Sequence, residues 1–325
     1  MTGKHDHLVA TSLDDAVTSP RGHPVTSSPS DHITPTRHRQ ITQTHGHFGV
    51  IDEANVKGVI IVKAEVIAIA NHKGGVGKSF TAVNLAAGLA QAGWRTLLTD
   101  CDPQGNSTSM FDPDDDVEFD IYDLIGEGAP IDKVRRKTRL ENLDLVPSTL
   151  AVAKLDQELV TMHRREEQLA MALAPVYQDY DAIVLDLSPN LGQLVITALN
   201  AADWFVVPTD ASKWGRRGVN MFLEWSSTLR QHRVLSAAFL GVLLTKYEPS
   251  TLISRETLHA LRNDGLPIFA TMIPKRTAAE RMVSDQVVLG DLEADPDLAH
   301  AYASFTVEVM TLVDEGRRNR GKHHA

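Results

Sequence analysis

A short glycine-rich stretch, "NHKGGVGKSF" at residues 71–80, combines two lysines and a serine. Glycine backbones can close N–H groups around phosphate oxygens, and a helix that begins there adds the positive end of its dipole. In such a loop Lys78 would reach the terminal phosphates, and the Ser79 hydroxyl would bind Mg²⁺. The usual template G-x-x-x-x-G-K-[ST] is not met, because His72 occupies the first glycine position and Lys73 is an extra lysine.

Three aspartates stand where a phosphate site needs acidic groups. Asp186 ends the apolar run "DAIVLD", at the place of the second acidic element of a P-loop site. Asp100 and Asp102 end the run "LLTDCD", and the turning chain at a strand end can bring both carboxylates towards the phosphates. Each aspartate alone could be a turn residue or a helix cap. Three of them with one glycine loop favour a nucleotide site with magnesium.

Apolar β-branched runs alternate with helical patterns from about residue 58, which predicts an α/β fold with a mostly parallel twisted sheet and helices on both faces. Ligands of such sheets bind at the carboxyl ends of the strands. The predicted strands are residues 65–71, 95–102, 143–147, 181–188, 204–210 and 238–247. The predicted helices include Ser79–Ala92, Ala153–Leu173, Leu191–Ala202 and Ser254–Asn263.

Composition narrows the classes of protein. The 325 residues contain one cysteine, Cys101, which excludes a disulfide framework or a cysteine-based metal cage within one chain and favours a cytoplasmic location. The amino-terminal residues do not form a signal peptide. The formal charge of −10 means that contacts with nucleic acid would have to use local basic patches.

Three segments are expected along the chain. Residues 1–57 are rich in Ser, Thr, Pro and His and predict a flexible arm, because too little apolar surface is available to offset the entropy of ordering. Residues 58–315 would form the catalytic domain, and residues 316–325 a basic carboxyl-terminal tail.

The motifs together resemble a known family. "KGGVGKS", "TDCDPQGNST" and "YDAIVLDLSPNLG" occur in family-like order and spacing, and the sequence from about residue 65 to 312 is similar to the ParA/Soj group of deviant-Walker P-loop ATPases, relatives of MinD. The resemblance implies a P-loop NTPase fold, hydrolysis of ATP with Mg²⁺, and an ATP-dependent homodimer that sandwiches two nucleotides.

The resemblance also assigns roles to individual residues. Lys73 matches the signature lysine, which crosses the dimer interface to the nucleotide of the other subunit. Lys78 matches the phosphate lysine, and Asp102 matches the aspartate that positions the attacking water. Asp186 matches the Walker B aspartate. The residues expected to contact nucleotide are Lys73, Gly74, Gly75, Val76, Gly77, Lys78, Ser79, Phe80 and Pro208; those expected at the magnesium are Ser79, Asp100 and Asp186.

Three positions depart from the family pattern. Phe80 stands where a threonine is usual, so a hydroxyl contact to the nucleotide is lost although the backbone N–H remains. Ser188 replaces the first proline after Asp186, and Thr197 replaces a common asparagine. These departures bear on base contacts and switching, and none removes a catalytic group.

Partition ATPases of the family bind DNA without sequence preference as ATP-bound dimers and respond to a ParB-type partner. Such binding needs Lys and Arg on one face of the dimer. The principal candidates are Arg216, Arg217, Arg255, Lys275, Arg276 and Arg281; Lys213, Arg262 and the tail at 317–322 are further ones. Membrane docking is disfavoured, because the chain past Val313 offers no apolar helix face.

Three functions remain open from the sequence. The first is DNA partition, with nucleoid association in the ATP state. The second is the positioning of another cellular cargo by the same catalytic core. The third is a nucleotide-dependent interaction module that hydrolyses little, which the departures at Phe80 and Ser188 leave possible.

Overall fold

The structure is a computed structural model that describes residues 63–111, 117–276, 288 and 295–323, together with the backbone of two short strands before them. The chain divides into two units, Met1–Ile60 and Ile61–Ala325. Predictions that concern Arg281 and most of the arm at 1–57 lie outside the described residues.

The first unit contains a pair of antiparallel strands, β1 (Ile41–Thr44) and β2 (His47–Val50). Ile41 pairs with Val50, and Thr44 pairs with His47. The sequence analysis predicted no regular structure here. The β-branched and aromatic residues of this segment favour extended pairing, although the surrounding composition is polar.

The second unit is built on a seven-stranded sheet with the order β5-β6-β4-β7-β3-β8-β9. All neighbours pair in parallel except β5 and β6, which are antiparallel. The strands are β3 (Glu65–Ile69), β4 (Thr96–Cys101), β5 (Arg136–Lys137), β6 (Leu143–Val146), β7 (Ala182–Leu187), β8 (Trp204–Asp210) and β9 (Ala238–Thr245). The predicted α/β fold with a mostly parallel sheet is confirmed.

Helices cover both faces of this sheet. Because side chains alternate along a strand, Val66 and Ala68 of β3 enter one hydrophobic cluster, and Ile67 and Ile69 enter the other. The helices are α1 (Lys78–Gln91), α2 (Asn106–Ser109), α3 (Ile121–Ile125), α4 (Ile131–Val134), α5 (Val152–Thr161), α6 (Gln168–Leu173), α7 (Gln193–Ala201), α8 (Lys213–Gln231), α9 (Leu252–Asn263) and α10 (Pro296–His323).

The predicted single helix at Ala153–Leu173 is wrong in the structure, which has two helices there. Between α5 and α6, Arg164 adopts a positive φ of 52°, and a 3₁₀ turn follows at Arg165–Glu167. Helix α5 ends where Met162 adopts an extended conformation, and the left-handed Arg164 precedes the 3₁₀ turn that leads into α6. The amphipathic pattern continued across the break and concealed it.

The carboxyl-terminal segment is helical to His323, so α10 runs through most of the predicted basic tail. Its residues Arg317 and Arg320 both pair with the buried carboxylate of Glu65, at the start of β3. Gly316 lies against the Trp204 ring, where an added Cβ would come within 2.1 Å of a ring carbon. In the part of the chain that the structure describes, no helix is both long and apolar enough to span a bilayer.

Candidate nucleotide site

The glycine loop joins the carboxyl end of β3 to the start of α1. Gly75 and Gly77 have φ values of 71° and 83°, a region that side-chain-bearing residues rarely adopt. A Cβ on Gly74 or Gly75 would meet no atom within 4 Å, so the loop backbone borders open space. Gly77 caps α1 without a side-chain hydrogen bond, which leaves the first N–H groups of the helix available to an anion. The Thr245 hydroxyl of β9 donates to the Val76 carbonyl at 2.9 Å and holds the loop.

Lys78 is the cation at the base of the loop. Its side chain is buried, and its Nζ donates to the Lys73 carbonyl at 3.1 Å. Burial lowers the pKa of this ammonium, while the charges of Asp186 and Asp102 oppose that shift. A buried ammonium with one neutral partner gains strongly from an added anion, and this favours phosphate binding.

Asp186 lies one residue before the end of β7 and is fully buried. Its Oδ2 accepts a hydrogen bond from the Ser107 hydroxyl at 2.7 Å, and the Ser79 hydroxyl also donates to the carboxylate. Its Oδ1 has no hydrogen-bond partner among the described residues. Burial raises the pKa of this carboxyl. A buried oxygen without a partner, beside a serine hydroxyl, fits a Mg²⁺ ion or its bound water.

Asp100 lies next to Asp186, because the register of β4 and β7 pairs these two residues directly. Its oxygens accept hydrogen bonds from the Asp102 N–H at 3.0 Å and from both the N–H and the hydroxyl of Thr108 at 2.8 Å. Burial and the neighbouring Asp186 raise the pKa of Asp100. These hydrogen bonds fix the loop after β4, and the contact of Asp100 with a magnesium ion stays a prediction.

Asp102 stands just beyond β4, buried but outside the sheet. Its Oδ1 accepts from the Gln104 N–H at 3.0 Å, and its carbonyl accepts from the Ser148 hydroxyl at 2.7 Å. Its charge acts on both Lys78 and Asp186. A carboxylate fixed in this way near Lys78 fits the predicted role of orienting a water molecule, and that role stays a prediction.

Lys73 points to a different neighbour from Lys78. Its Nζ contacts Asp210 Oδ1 at 2.6 Å, at the end of β8, and about 30% of its side chain is exposed. Its backbone N–H donates to Asn71 Oδ1 at 3.0 Å, and the Asn71 amide donates to the Pro208 carbonyl at 2.8 Å. Through this network the Pro208 carbonyl holds Asn71, a contact that the sequence did not indicate. Pro208 is buried within β8, so its carbonyl anchors the loop while its contact with nucleotide stays a prediction.

The three departures from the family pattern have local partners. Phe80 packs edge-on against Tyr302 of α10, with ring centroids 5.5 Å apart. The Ser188 hydroxyl donates to the Asn190 side chain at 2.8 Å, and the Thr197 hydroxyl donates to the Arg165 carbonyl at 2.9 Å. Phe80 thus links the first turn of α1 to the carboxyl-terminal helix, and Thr197 holds the 3₁₀ turn that the helix prediction missed.

The candidate DNA contacts separate into two groups. Arg216 forms a bidentate pair with Asp264, Lys275 pairs with Glu248, and Arg276 pairs with Asp295 and Asp297. Arg217 of α8 and Arg255 of α9 are exposed and form no ion pair with any described residue. Arg317 and Arg320 of the predicted tail form ion pairs with Glu65.

Known proteins are similar to this chain in sequence. The AAA domain family matches residues 64–237, more than half of the chain. The sporulation initiation inhibitor protein Soj of Bacillus subtilis is 38% identical over 213 residues, which cover 65% of this chain and 84% of that protein. The chromosome-partitioning ATPase Soj of Thermus thermophilus is 34% identical and covers 78% of this chain and 98% of its own length.

Solved structures are similar over the same region. Cobyrinic acid a,c-diamide synthase of Mycobacterium smegmatis with bound ADP and magnesium is 29% identical, with a TM-score of 0.68 over 78% of this chain and 96% of that one. A putative plasmid partition protein of Borrelia burgdorferi bound to AMPPNP is 25% identical, with a TM-score of 0.66 over 77% and 99% of the two chains.

The cofactors of this site are ATP and Mg²⁺. When bound, the metal neutralises charge on the transferring phosphoryl group. The groups of this chain that would hold these cofactors are the glycine backbone, the Lys78 ammonium, Oδ1 of Asp186 and the carboxylate of Asp102. This chain is a member of the ParA/MinD superfamily of ATPases.

Proposed function

We propose that the protein is a DNA partition ATPase that forms an ATP-sandwich homodimer, binds DNA without sequence preference and is stimulated by a ParB-type partner. The relatives named as chromosome-partitioning ATPases support this assignment. The same fold also occurs in relatives with other names, so the proposal depends on residues of this chain.

The observation that carries the proposal is the position of Lys73. Lys78 is buried against the loop of its own chain, whereas the Lys73 side chain is about 30% exposed and pairs with Asp210. A pair of this exposure contributes roughly 0–1 kcal/mol, so it can be exchanged for a stronger partner. The triphosphate held by a second copy provides that partner, and the added positive charge stabilises the transition state of hydrolysis.

A substitution tests this role of Lys73. We expect Lys73→Ala to abolish hydrolysis and nucleotide-dependent dimer formation, with ATP binding by the monomer retained because Lys78 and the glycine loop are intact. Sedimentation velocity with Mg-ATP and Mg-ADP, paired with equilibrium nucleotide binding, measures both properties. Lys78→Ala is the matched control, which should lose nucleotide binding itself. Normal turnover by Lys73→Ala would overturn the trans-acting role.

DNA binding is proposed for basic residues that the fold leaves unpaired. The chain is acidic as a whole, so a local surface must supply the charge. Arg217 and Arg255 are exposed without an ion pair among the described residues, whereas Arg216 and Arg276 are held by carboxylates. We place the ATP-bound protein on the nucleoid in the cytoplasm, through contacts with DNA phosphates that weaken as salt increases.

The positioning of another cargo is a second candidate, because the catalytic core is the same. Solved structures similar to this chain include proteins outside DNA partition, such as the cobyrinic acid a,c-diamide synthase. A neighbouring gene for a ParB-like protein beside a centromere-like repeat would favour partition. A chain that binds ATP but shows no hydrolysis stimulated by DNA or partner would instead be an interaction module.

A further inference from the structure

One side of helix α8 carries large apolar side chains that nothing in the described chain covers. Trp214 is 70% exposed and Met221 is 49% exposed, with Arg217 between them at helical spacing. We call these three residues the α8 flank. Val219 and Phe222, on the opposite side of the helix, are buried in the core. An exposed tryptophan with a neighbouring methionine and arginine is typical of a binding surface.

The α8 flank lies beside the phosphate loop. Gly218 is buried, and an added Cβ there would approach the His72 ring at 3.6 Å and Lys73 Cβ at 3.9 Å. The helix therefore crosses the loop at Gly218, which a larger residue would push away. Trp214 is one turn before Gly218, so it lies along the same edge of the helix. The exposed tryptophan thus borders the surface from which Lys73 projects.

We propose that the α8 flank is a self-association surface, with Trp214 as its anchor against a second copy of this chain. The inference rests on the proposed ATP-sandwich dimer and names the residues that stabilise it. Lys73 can reach the nucleotide of another subunit only if the surface around it is at the interface. In an interface with two-fold symmetry, each flank meets the same region of the partner, which buries both tryptophans.

Charge explains why this association depends on nucleotide. The charged residues around the flank are the cations Lys73, Lys213 and Arg217 and the carboxylates Asp210, which pairs with Lys73, and Glu224. Three positive and two negative charges give this surface a formal charge of +1, although the whole chain has a formal charge of −10. Two such faces repel each other when they approach directly. Two triphosphates between them reverse the interaction, because each anion is attracted to cations of both copies. The apolar side chains of the flank then contribute affinity once the repulsion is removed.

The dimer dissociation constant of Trp214→Ala tests the proposal. Full-length protein is measured by sedimentation velocity with Mg²⁺ and AMPPNP, with Leu252→Ala as the matched control, since Leu252 is 62% exposed at the start of α9. We expect Trp214→Ala to weaken the dimer at least about tenfold, as for a buried interface tryptophan. Trp214→Phe should restore part of the affinity, and Leu252→Ala should match the unmodified protein. Nucleotide binding by the monomer should be equal in all of them.

Tryptophan fluorescence emission measures the burial of Trp214 in the unmodified protein. Trp94 and Trp204 are buried, and Trp225 is partly buried against Phe222. A blue shift on addition of AMPPNP that is lost in Trp214→Ala would therefore report the burial of Trp214. Normal dimers of Trp214→Ala, with no blue shift in the unmodified protein, would overturn the flank while leaving the sandwich dimer intact. Absence of any dimer of the unmodified protein would overturn both. Normal dimers with lost DNA retention would assign the flank to DNA and also overturn the proposal.

Discussion

At the scale of single residues, the two lysines of the glycine loop have separate environments that explain separate tasks. Lys78 is buried, and its ammonium donates a hydrogen bond to the Lys73 carbonyl. The side chain of Lys73 is about 30% exposed and forms an ion pair with Asp210. His72, which replaces the usual first glycine, packs near Gly218 of α8 and forms part of the crossing between helix and loop. The loop that departs from the template thus contains a second cation, Lys73, which pairs with Asp210 instead of lying beside Lys78.

Asp210 is expected to hold Lys73 in the free chain and to oppose its transfer to another subunit. Asp210→Asn removes the charge and preserves the shape of the contact with the Ser212 hydroxyl. Since the partly exposed Lys73–Asp210 ion pair contributes about 0–1 kcal/mol to the stability of the free chain, we expect the dissociation constant of the ATP-dependent dimer to fall up to about fivefold. Sedimentation equilibrium with Mg²⁺ and AMPPNP measures the change. A weaker dimer would show that Asp210 acts within the closed complex instead.

That the candidate site residues lie together could be predicted, because their motifs are local in the sequence. Glycines, lysine and serine occur within one loop, and the aspartates end apolar strands that the sequence marks clearly. The partners of these residues were not predictable. Asp210 is 137 positions from Lys73, and Ser107 is 79 positions from Asp186, so neither contact follows from a pattern in either segment.

At the scale of elements, the parallel strands were the most predictable part of the fold, because each is a short apolar run between turn signals. Helix α8 was not predicted. Its sequence contains Gly215 and Gly218, which lower helix propensity. An added Cβ at Gly215 would come within 2.2 Å of the Asp210 carbonyl oxygen at the end of β8, so glycine is required there. Helix propensity therefore fails to predict α8, because Gly215 is there for close packing near the site.

The carboxyl-terminal helix α10 was also not predicted from the sequence. Residues 316–325 look like a solvated basic tail, because the carboxylate that binds their arginines is Glu65, about 250 residues earlier. Arg317 also stacks on the Trp94 ring at 5.4 Å and Arg320 on the Trp204 ring at 4.7 Å. The charges that suggested DNA binding instead fasten α10 to the sheet.

Gly316→Ala tests the docking of α10. In an exposed helix this change would stabilise by about 1 kcal/mol. Here the added Cβ meets the Trp204 ring, and overpacking of this kind costs about 1–3 kcal/mol, so we expect lower stability and a lower Tm.

Thermal unfolding measured by circular dichroism gives the result for Gly316→Ala, with Asn319→Ala as the control on an exposed site of the same helix. The control should be neutral or slightly stabilised. An unchanged or raised Tm for Gly316→Ala would mean that α10 does not pack on Trp204.

At the scale of the whole molecule, an acidic protein must present its basic residues selectively. Arg255→Ala should weaken DNA binding, because its guanidinium is exposed and without an ion pair among the described residues. Arg216→Ala should have a smaller effect, since that side chain is already bound by Asp264. Fluorescence anisotropy with duplex DNA across a salt series measures both, and removal of one phosphate contact should reduce the salt slope by about 1. Equal losses would show that the intramolecular pair is open in the complex.

The measurement that tests the central claim most directly is retention of the full-length protein on duplex DNA in three states: with Mg-ATP, with Mg-ADP and without nucleotide. The account predicts strong retention only with ATP, because only the triphosphate brings two copies together and combines their basic surfaces. Lys73→Ala should remain unbound in all three states. Equal retention of the unmodified protein in all three states would contradict the claim that nucleotide controls its binding to DNA.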